Sequence, residues 1–554
     1  MGKKKKWFMP LILFLVVGAA YANSLSSGFV WDDHPLIIGK QEFFNHPGSA
    51  ITLLVSPDAA LTARQAPPYY RPLDTLSYML DHYLWGLNPF WYHLENLLLH
   101  ALVAMLFYLL LLEVFGDIRL AFIASVFFAV YPVNAEAVDF ISARNTLLCA
   151  AFTMASLLFL AKDGRKWTAL SLVAYLLALF SKEPAVVLPF FFISLGLTAG
   201  RPFGKRELKL KKGVLGGFFA VTAVYFMIRH LVLGAFIAKH GISLSFSRLK
   251  LIAAVFFEHF RLFVFPFKLN ALYTRQAISF APFKAAAVIP VVLLLVYLSL
   301  DKKTPDPVRA GAQWIFWGLL PVSNIVKIPS APVAERFQYT IIFGFVLILA
   351  YLLAGLAQKK AALGITVITV LFIALGIRTF ERNLVWRDDL TLYSSMIRSD
   401  PADAVAYYNL GNVYGKSGYL GDAVKDFKMA LSINPFYIKP RVNLGVAYAK
   451  EGNLEEAVTE FRKALALKPG HVMAMLNLGM AYLKMGLVPE AVKEFNQAVR
   501  LAPGFPDAHL ALGVGYEKEG LFRGAADEFE IVLELDPGNG QAIEKLNYVR
   551  GLIQ

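Results

Sequence analysis

Two neighbouring carboxylates, Asp32 and Asp33, stand in the stretch Phe29-Val30-Trp31-Asp32-Asp33-His34. Side by side they repel, so one is expected to keep its proton to higher pH and to serve as a general base near neutrality. The same pair also suits a turn or a helix cap. Four cations, Arg71, Arg144, Lys182 and Arg336, offer a second kind of chemistry. A guanidinium presents a two-pronged fork to a phosphate, although any one of these residues would also serve as an interfacial anchor. His93, Asn96 and His100 have helical spacing on one face. Two imidazoles seven residues apart make a weak metal site, and hydrogen bonding between helices is the expected use. No glycine-rich phosphate loop is present, which argues against a soluble nucleotide or nucleotide sugar as substrate.

The elements that must position these groups are apolar. Of 554 residues, 57% are hydrophobic and 17% charged, which excludes an ordinary soluble enzyme and a disordered chain. The net charge of +14 divides unevenly: residues 1–380 carry 35 basic and 18 acidic side chains, residues 381–554 carry 19 and 22. The excess of positive charge thus accompanies the apolar half, as in membrane proteins that hold their cytoplasmic loops with Lys and Arg, and it does not point to nucleic acid. A single cysteine, Cys149, excludes an intrachain disulfide.

Apolar stretches of bilayer-crossing length are read at 7–22, 92–115, 119–137, 142–161, 167–180, 184–199, 213–236, 284–300, 310–325, 340–357 and 361–378. The first is read as an uncleaved anchor, because ten further spans follow. Basic clusters precede alternate spans: Lys3 to Lys6, then Lys162 with Arg165 and Lys166, then Arg201 to Lys212, then Lys302, Lys303 and Arg309, then Lys359 and Lys360. With eleven spans they share one side, the cytoplasmic one, and the C-terminal half lies across the membrane from it. The segment 246–266 carries Arg248, Lys250, Glu258 and Arg261 and is expected to be interfacial or re-entrant. On the outer side fall Asp32, Asp33, Asp58, Arg64, Arg71, Asp74, Asp81, Glu136, Asp139, Arg144, Lys182, Glu183, Lys327, Glu335 and Arg336, several of them in a first external loop at 23–91. A transporter would place its ionisable groups near the midplane, whereas these point to a site at the outer face.

The second half repeats. Pro401, Pro435, Pro469, Pro503 and Pro537 recur every 34 residues, and so do Gly418, Gly452, Gly486 and Gly520. Asn409-Leu410-Gly411 returns as Asn443-Leu444-Gly445 and Asn477-Leu478-Gly479, with Phe427, Phe461, Phe495 and Phe529 in step. This is the tetratricopeptide pattern of paired helices: four repeats over about 401–536 and a closing helix at 538–552, after a linker at 381–400. Such arrays bind peptides or protein surfaces in a groove, or act as spacers, and rarely catalyse.

These elements, in order, resemble the integral-membrane GT-C glycosyltransferases, and more closely the protein O-mannosyltransferase-like branch with C-terminal tetratricopeptide repeats. The stretches that carry the resemblance are Trp31-Asp32-Asp33, Tyr70-Arg71-Pro72-Leu73, Tyr92-His93-Leu94-Glu95-Asn96 with His100, Pro132-Val133-Asn134-Ala135-Glu136 and Ser142-Ala143-Arg144. They continue through Ser181-Lys182-Glu183-Pro184, Glu335-Arg336-Phe337-Gln338-Tyr339 and Trp386-Arg387-Asp388-Asp389. The resemblance implies an all-α fold, a polytopic membrane domain over 1–380 followed by an α-solenoid over 401–554. It also implies a polyprenyl-phosphate sugar as donor, mannose among the candidates, and a protein hydroxyl on the outer face as acceptor.

On this resemblance Asp32 or Asp33 would deprotonate the acceptor in an inverting displacement. Arg71, His93, Glu136, Arg144, Lys182, Glu335 and Arg336 are the candidates for holding substrate and lipid phosphate. No metal site and no cofactor beyond the lipid-linked donor are expected. Two residues depart from the pattern, Tyr131 before Pro132 and Gln338 after Phe337, and bear on the phosphate site. The chain carries no Asn-x-Ser/Thr acceptor, which favours a bacterial inner membrane with the repeats in the periplasm. The alternatives are a non-catalytic membrane-anchored scaffold for an envelope complex, and a transferase of the same fold acting on lipid or polysaccharide.

Overall fold

The computed structural model describes residues 3–46, 48–55, 69–162, 164–198, 212–234, 245–274, 278, 281–325 and 331–553. The expected site-side residues Asp58, Arg64 and Lys327, and the basic run from Arg201 to Lys211, lie outside the described residues. The chain forms two units, Met1–Ser399 and Asp400–Gln554. Among the described residues both are helical, with one isolated bridge between Tyr273 and Val333.

Numbering helices longer than ten residues, the first unit contains α1 (Lys3–Tyr21), α2 (Pro72–Trp85), α3 (Pro89–Phe115), α4 (Ile118–Ala129), α5 (Arg144–Leu160), α6 (Arg165–Ser181) and α7 (Leu188–Thr198). It continues with α8 (Lys212–Leu233), α9 (Phe246–Val264), α10 (Pro282–Leu300), α11 (Asp306–Leu319), α12 (Ile342–Lys359), α13 (Ala361–Asn383) and α14 (Asp389–Ser399). Seven of these, α1, α3, α5, α8, α10, α12 and α13, are long and apolar enough to cross a bilayer. An eighth is added if α4 and Pro132–Asp139, bent by 53°, count as one broken span.

Against the eleven spans expected, seven or eight of full length stand among the described residues. The stretches read at 167–180, 184–199 and 310–325 are helical but shorter, as α6, α7 and α11. Proline explains the breaks. Pro132 interrupts the helix after α4, Pro184 follows the end of α6, and Pro321 follows the end of α11. It has no N–H to continue the ladder and disfavours helical geometry in the residue before it.

Large apolar side chains on α8, α10 and α13, such as Met227, Leu231, Ile289, Leu293, Ile365 and Ile373, face outward, as lipid contact requires. Inside, α11 crosses α12 at Gly311 and Gly344. A Cβ at Gly311 would lie 2.6 Å from the Gly344 carbonyl oxygen, so the backbones meet where neither residue has a side chain. Helix α9 begins at Ser245, whose hydroxyl accepts from the Arg248 N–H, and it exposes Phe246 and Leu249. Its Glu258 pairs with Arg261 and Lys284, so charges that would be costly in a span are satisfied as an interfacial segment allows.

Residues 381–399, expected as linker, belong to the membrane unit. Trp386 is fully buried, the Asn383 amide donates to the Ala20 carbonyl, and the Gly28 N–H donates to the Arg387 carbonyl. Of its charges, Arg382 and Asp389 fasten the unit internally, while Glu381 and Arg387 stay exposed and Asp388 half-exposed.

The second unit pairs Ala404–Lys416 with Leu420–Ile433, Ile438–Glu451 with Leu454–Leu467, Val472–Lys484 with Val488–Leu501, and Pro506–Glu519 with Phe522–Leu535, and closes with Gly540–Ile553. The period follows from two glycines per repeat. Gly418, Gly452, Gly486 and Gly520 turn the chain at positive φ, between 78° and 87°. Gly411 and Gly445 leave room for the rings of Phe427 and Phe461, which a Cβ would meet at 2.7 and 2.6 Å, and Gly479 and Gly513 do the same for Phe495 and Phe529. Phe427 is buried with Leu444 and Ala447 of the next repeat, so each ring also joins neighbouring units.

Removing such a ring should leave a cavity. Phe461→Ala is expected to cost about 3–5 kcal/mol, seen as lost amide-exchange protection across the second repeat and its neighbours. Phe436→Ala, at a ring 76% exposed, should leave protection unchanged.

Candidate active site

The two aspartates take different roles. The chain leaves α1, passes Gly28 and enters the one-turn helix Asp33–Leu36 through Trp31, which has a positive φ of 51°. A bulky residue in that region is strained and persists only where its surroundings hold it. Asp33 does the holding. Fully buried, its carboxylate accepts the Val30 N–H at 3.0 Å, the Ser142 N–H at 2.8 Å and the Ser142 hydroxyl at 2.5 Å. Burial raises the Asp33 pKa to about 7, against the lowering effect of these donors. Both oxygens are thus committed to the turn.

Asp32 is left to face outward. Its side chain makes no cap bond to the helix it precedes, and it is exposed, though the surrounding protein raises its pKa while Arg336 draws it down. The turn is braced by the segment after α13. Asp389 accepts the Trp31 N–H at 2.9 Å and bonds the His34 ring at 2.8 Å. The Trp31 ring stacks on Phe140, which stacks on Trp386.

Within electrostatic reach of this carboxylate lies Arg336, the first of three cations carried by irregular backbone. Arg336, in the turn Glu335–Phe337, donates through its main-chain N–H to Glu136 at 2.7 Å and pairs with the same carboxylate through its guanidinium. Lys182, extended at the end of α6, is buried and donates to the Thr146 hydroxyl at 2.5 Å. Burial, then Arg71 and Arg336, lower its pKa to about 7, so the three cations lie within electrostatic reach of one another. Arg71, fixed just before Pro72 at the start of α2, lies over the Tyr69 ring and donates to Glu183 at 2.7 and 3.1 Å. Irregular backbone at membrane depth survives where it is buried in protein or lines a cavity, and here it aims polar side chains at one place.

The structure therefore brings together Asp32, Glu136, Arg336, Lys182 and Arg71. Three other sequence candidates are engaged elsewhere. Arg144 gives its donors to Asp81, Glu95, the Asn96 side chain and the Tyr92 carbonyl. Glu335 accepts from Arg382 and from Tyr273, tying its turn to α13. His93 bonds the Gly28 carbonyl at 3.3 Å, His100 bonds Tyr339 and the Ala129 carbonyl, and Asn96 donates to the Val138 carbonyl. The face of His93, Asn96 and His100 thus joins helices by hydrogen bonds.

The two departures from the family pattern also have a use. Tyr131 donates to the Phe263 carbonyl and Gln338 bonds His259, so both fasten α9 to the core. Sequence reasoning missed Asp389, Arg382, Tyr273 and Arg229 as parts of this constellation. For Asp389 the signal was the Trp386-Arg387-Asp388-Asp389 stretch. Arg382 and Arg229 offered the signal of a charge inside an apolar run.

The tetratricopeptide repeat family model matches residues 404–437 and 448–515. Over 452 residues, 77% of this chain, the sequence is 26% identical to a protein O-mannosyl-transferase of Caenorhabditis elegans, of which 63% is covered. It is 26% identical over 471 residues, 76% of this chain, to the protein O-mannosyl-transferase TMTC3 of Homo sapiens, of which 51% is covered. The chain thus spans between half and two thirds of the length of these relatives. Among solved structures, MamA covers 27% of this chain and 86% of its own, at 25% identity and a TM-score of 0.25.

The split between the aspartates is testable without an activity. Asp33→Asn turns an amide toward a buried N–H donor and should cost about 1–3 kcal/mol, lowering the thermal midpoint of the detergent-solubilised protein. Asp32→Asn should leave the midpoint unchanged.

Proposed function

We propose that the protein is an inverting membrane glycosyltransferase that moves a sugar, with mannose the first candidate, from a polyprenyl phosphate to a protein hydroxyl. One observation carries the reading: an outward-facing carboxylate, Asp32, lies within electrostatic reach of Arg336, which with Arg71 also acts on Lys182, while its neighbour Asp33 is spent on holding the turn. The similarity to protein O-mannosyl-transferases supports it. Asp32 takes the proton of the acceptor hydroxyl as its oxygen attacks the anomeric carbon. The bond from that carbon to the phosphate oxygen breaks on the far side, and the charge growing on the phosphate meets Lys182 and Arg336. Lys182 suits this task because it has a hydroxyl partner and, among the described residues, no hydrogen-bonded carboxylate.

The repeats would recruit or orient the acceptor protein, as concave helical arrays bind polypeptide. We place the protein in a bacterial inner membrane, with its N-terminus cytoplasmic and its repeats in the periplasm, on the charge asymmetry of the loops. The scaffold alternative leaves the carboxylate and cation row without a use.

Transfer of labelled sugar from polyprenyl-phosphate donors to membrane protein should be lost in Asp32→Asn, at least about a hundredfold as for a general base, with the fold intact. Undiminished transfer by that variant would contradict the role, and label passing to lipid or polysaccharide would reassign the acceptor. The low pKa of Lys182 adds a second outcome. Its charge is present below about pH 7 and lost above it, so affinity for a phosphate lipid should fall as pH rises through 7. Lys182→Arg, charged throughout, should flatten that profile.

A further inference from the structure

Arg229 sits within a spanning helix, α8, and is 7% exposed. An arginine there is costly unless it is used. Its Nη1 donates to Glu183 at 3.2 Å and to the Tyr225 hydroxyl at 3.3 Å, while its Nε is buried without a partner. Arg71 approaches the same carboxylate from the other side through Nε and Nη2. One negative charge is therefore shared by two guanidiniums, with the Lys182 ammonium on the adjacent residue. The Glu183 side chain is also more exposed than that of Arg229, 29% against 9%, so the carboxylate lies outward and the guanidinium behind it.

We propose that Glu183 occupies the position of the ligand's phosphate, and that Arg229 is a phosphate-binding residue which Glu183 holds in readiness. This rests on the reading of Lys182, Arg336 and Arg71 as a phosphate-lipid site and adds a competitor to it. A phosphate has more oxygens to offer converging forks than a carboxylate, and would draw Arg71 and Arg229 from Glu183. Glu183 would then turn toward the open side. A free anion gains little from that exchange. An anion attached to an apolar chain gains more, because a small, mostly apolar cavity begins at the residue after Glu183, lined by Pro184, Val187, Leu188, Phe191, Trp314 and Trp317. The carboxylate thus acts as an internal plug that selects a phosphate ester carrying a hydrocarbon over loose anions.

The test is binding of farnesyl phosphate and of farnesol, without sugar or acceptor, to the full-length protein in detergent. Wild type should prefer the phosphate. Glu183→Gln, which frees both guanidiniums, should bind farnesyl phosphate about three- to tenfold more tightly, the net worth of one ordinary hydrogen bond, with farnesol unchanged. Arg229→Gln should weaken the phosphate by a similar factor and leave farnesol alone. Weaker or unchanged phosphate binding by Glu183→Gln would show that the carboxylate only orients the arginines. A Glu183→Gln protein that no longer folds would likewise reject the competitor role. Unaltered selectivity in Arg229→Gln would remove Arg229 from the site. Binding as expected from a protein that transfers no sugar would keep this inference and discard the enzyme. Intact transfer with weaker binding by Glu183→Gln would do the reverse.

Discussion

A carboxylate withdrawn from water must find donors, and the membrane unit is arranged around one that does. Asp33 is fully buried and takes the Val30 N–H together with both donors of Ser142. Those bonds fix the start of the first external loop against the turn before α5, residues more than a hundred positions apart. They also hold Trp31 in a backbone region it would not choose, and so determine where Asp32 points. The aromatic stack Trp31, Phe140, Trp386 and the Asp389 contacts close the same turn from the C-terminal side. A buried charge is here a register device for its neighbour.

The cations depend on a second constraint, the breaking of apolar helices by proline. Where α4 ends before Pro132, Glu136 follows; where α6 ends before Pro184, Lys182 and Glu183 follow. Each break exposes backbone groups that lipid could not satisfy, so it must be buried in protein. Charged side chains on those segments then face one another instead of the hydrocarbon. Glu136 with Arg336, and Glu183 with Arg71 and Arg229, are the pairs that result.

Much of this was legible in the residues. The repeats could be read almost to their boundaries, because each glycine and each phenylalanine answers a steric demand that recurs every 34 positions. The apolar runs were legible as helices, but not all their breaks were: hydropathy does not register the one at Pro132, inside the stretch read at 119–137. The segment 381–400 misled because Glu381, Arg382, Arg387, Asp388 and Asp389 look solvated in a linear reading, whereas Arg382 and Asp389 find partners 47 and 358 residues away. At the site, residue type marked Asp32, Asp33, Lys182 and Arg336 as candidates. It could not divide the aspartates, nor tell Arg144, matched to Asp81 in the interior, from Arg71 at the cleft.

The proposed arrangement pairs a base, Asp32, with a phosphate site at Lys182 and Arg336. The measurement that tests it most directly is a structure of the full chain with a polyprenyl-phosphate sugar bound. The account expects the phosphate in hydrogen-bond reach of Lys182 and Arg336, with the Asp32 carboxylate on the opposite side of the anomeric carbon. A phosphate seated away from Lys182 and Arg336, or a sugar whose anomeric carbon lies out of line with Asp32, would contradict it.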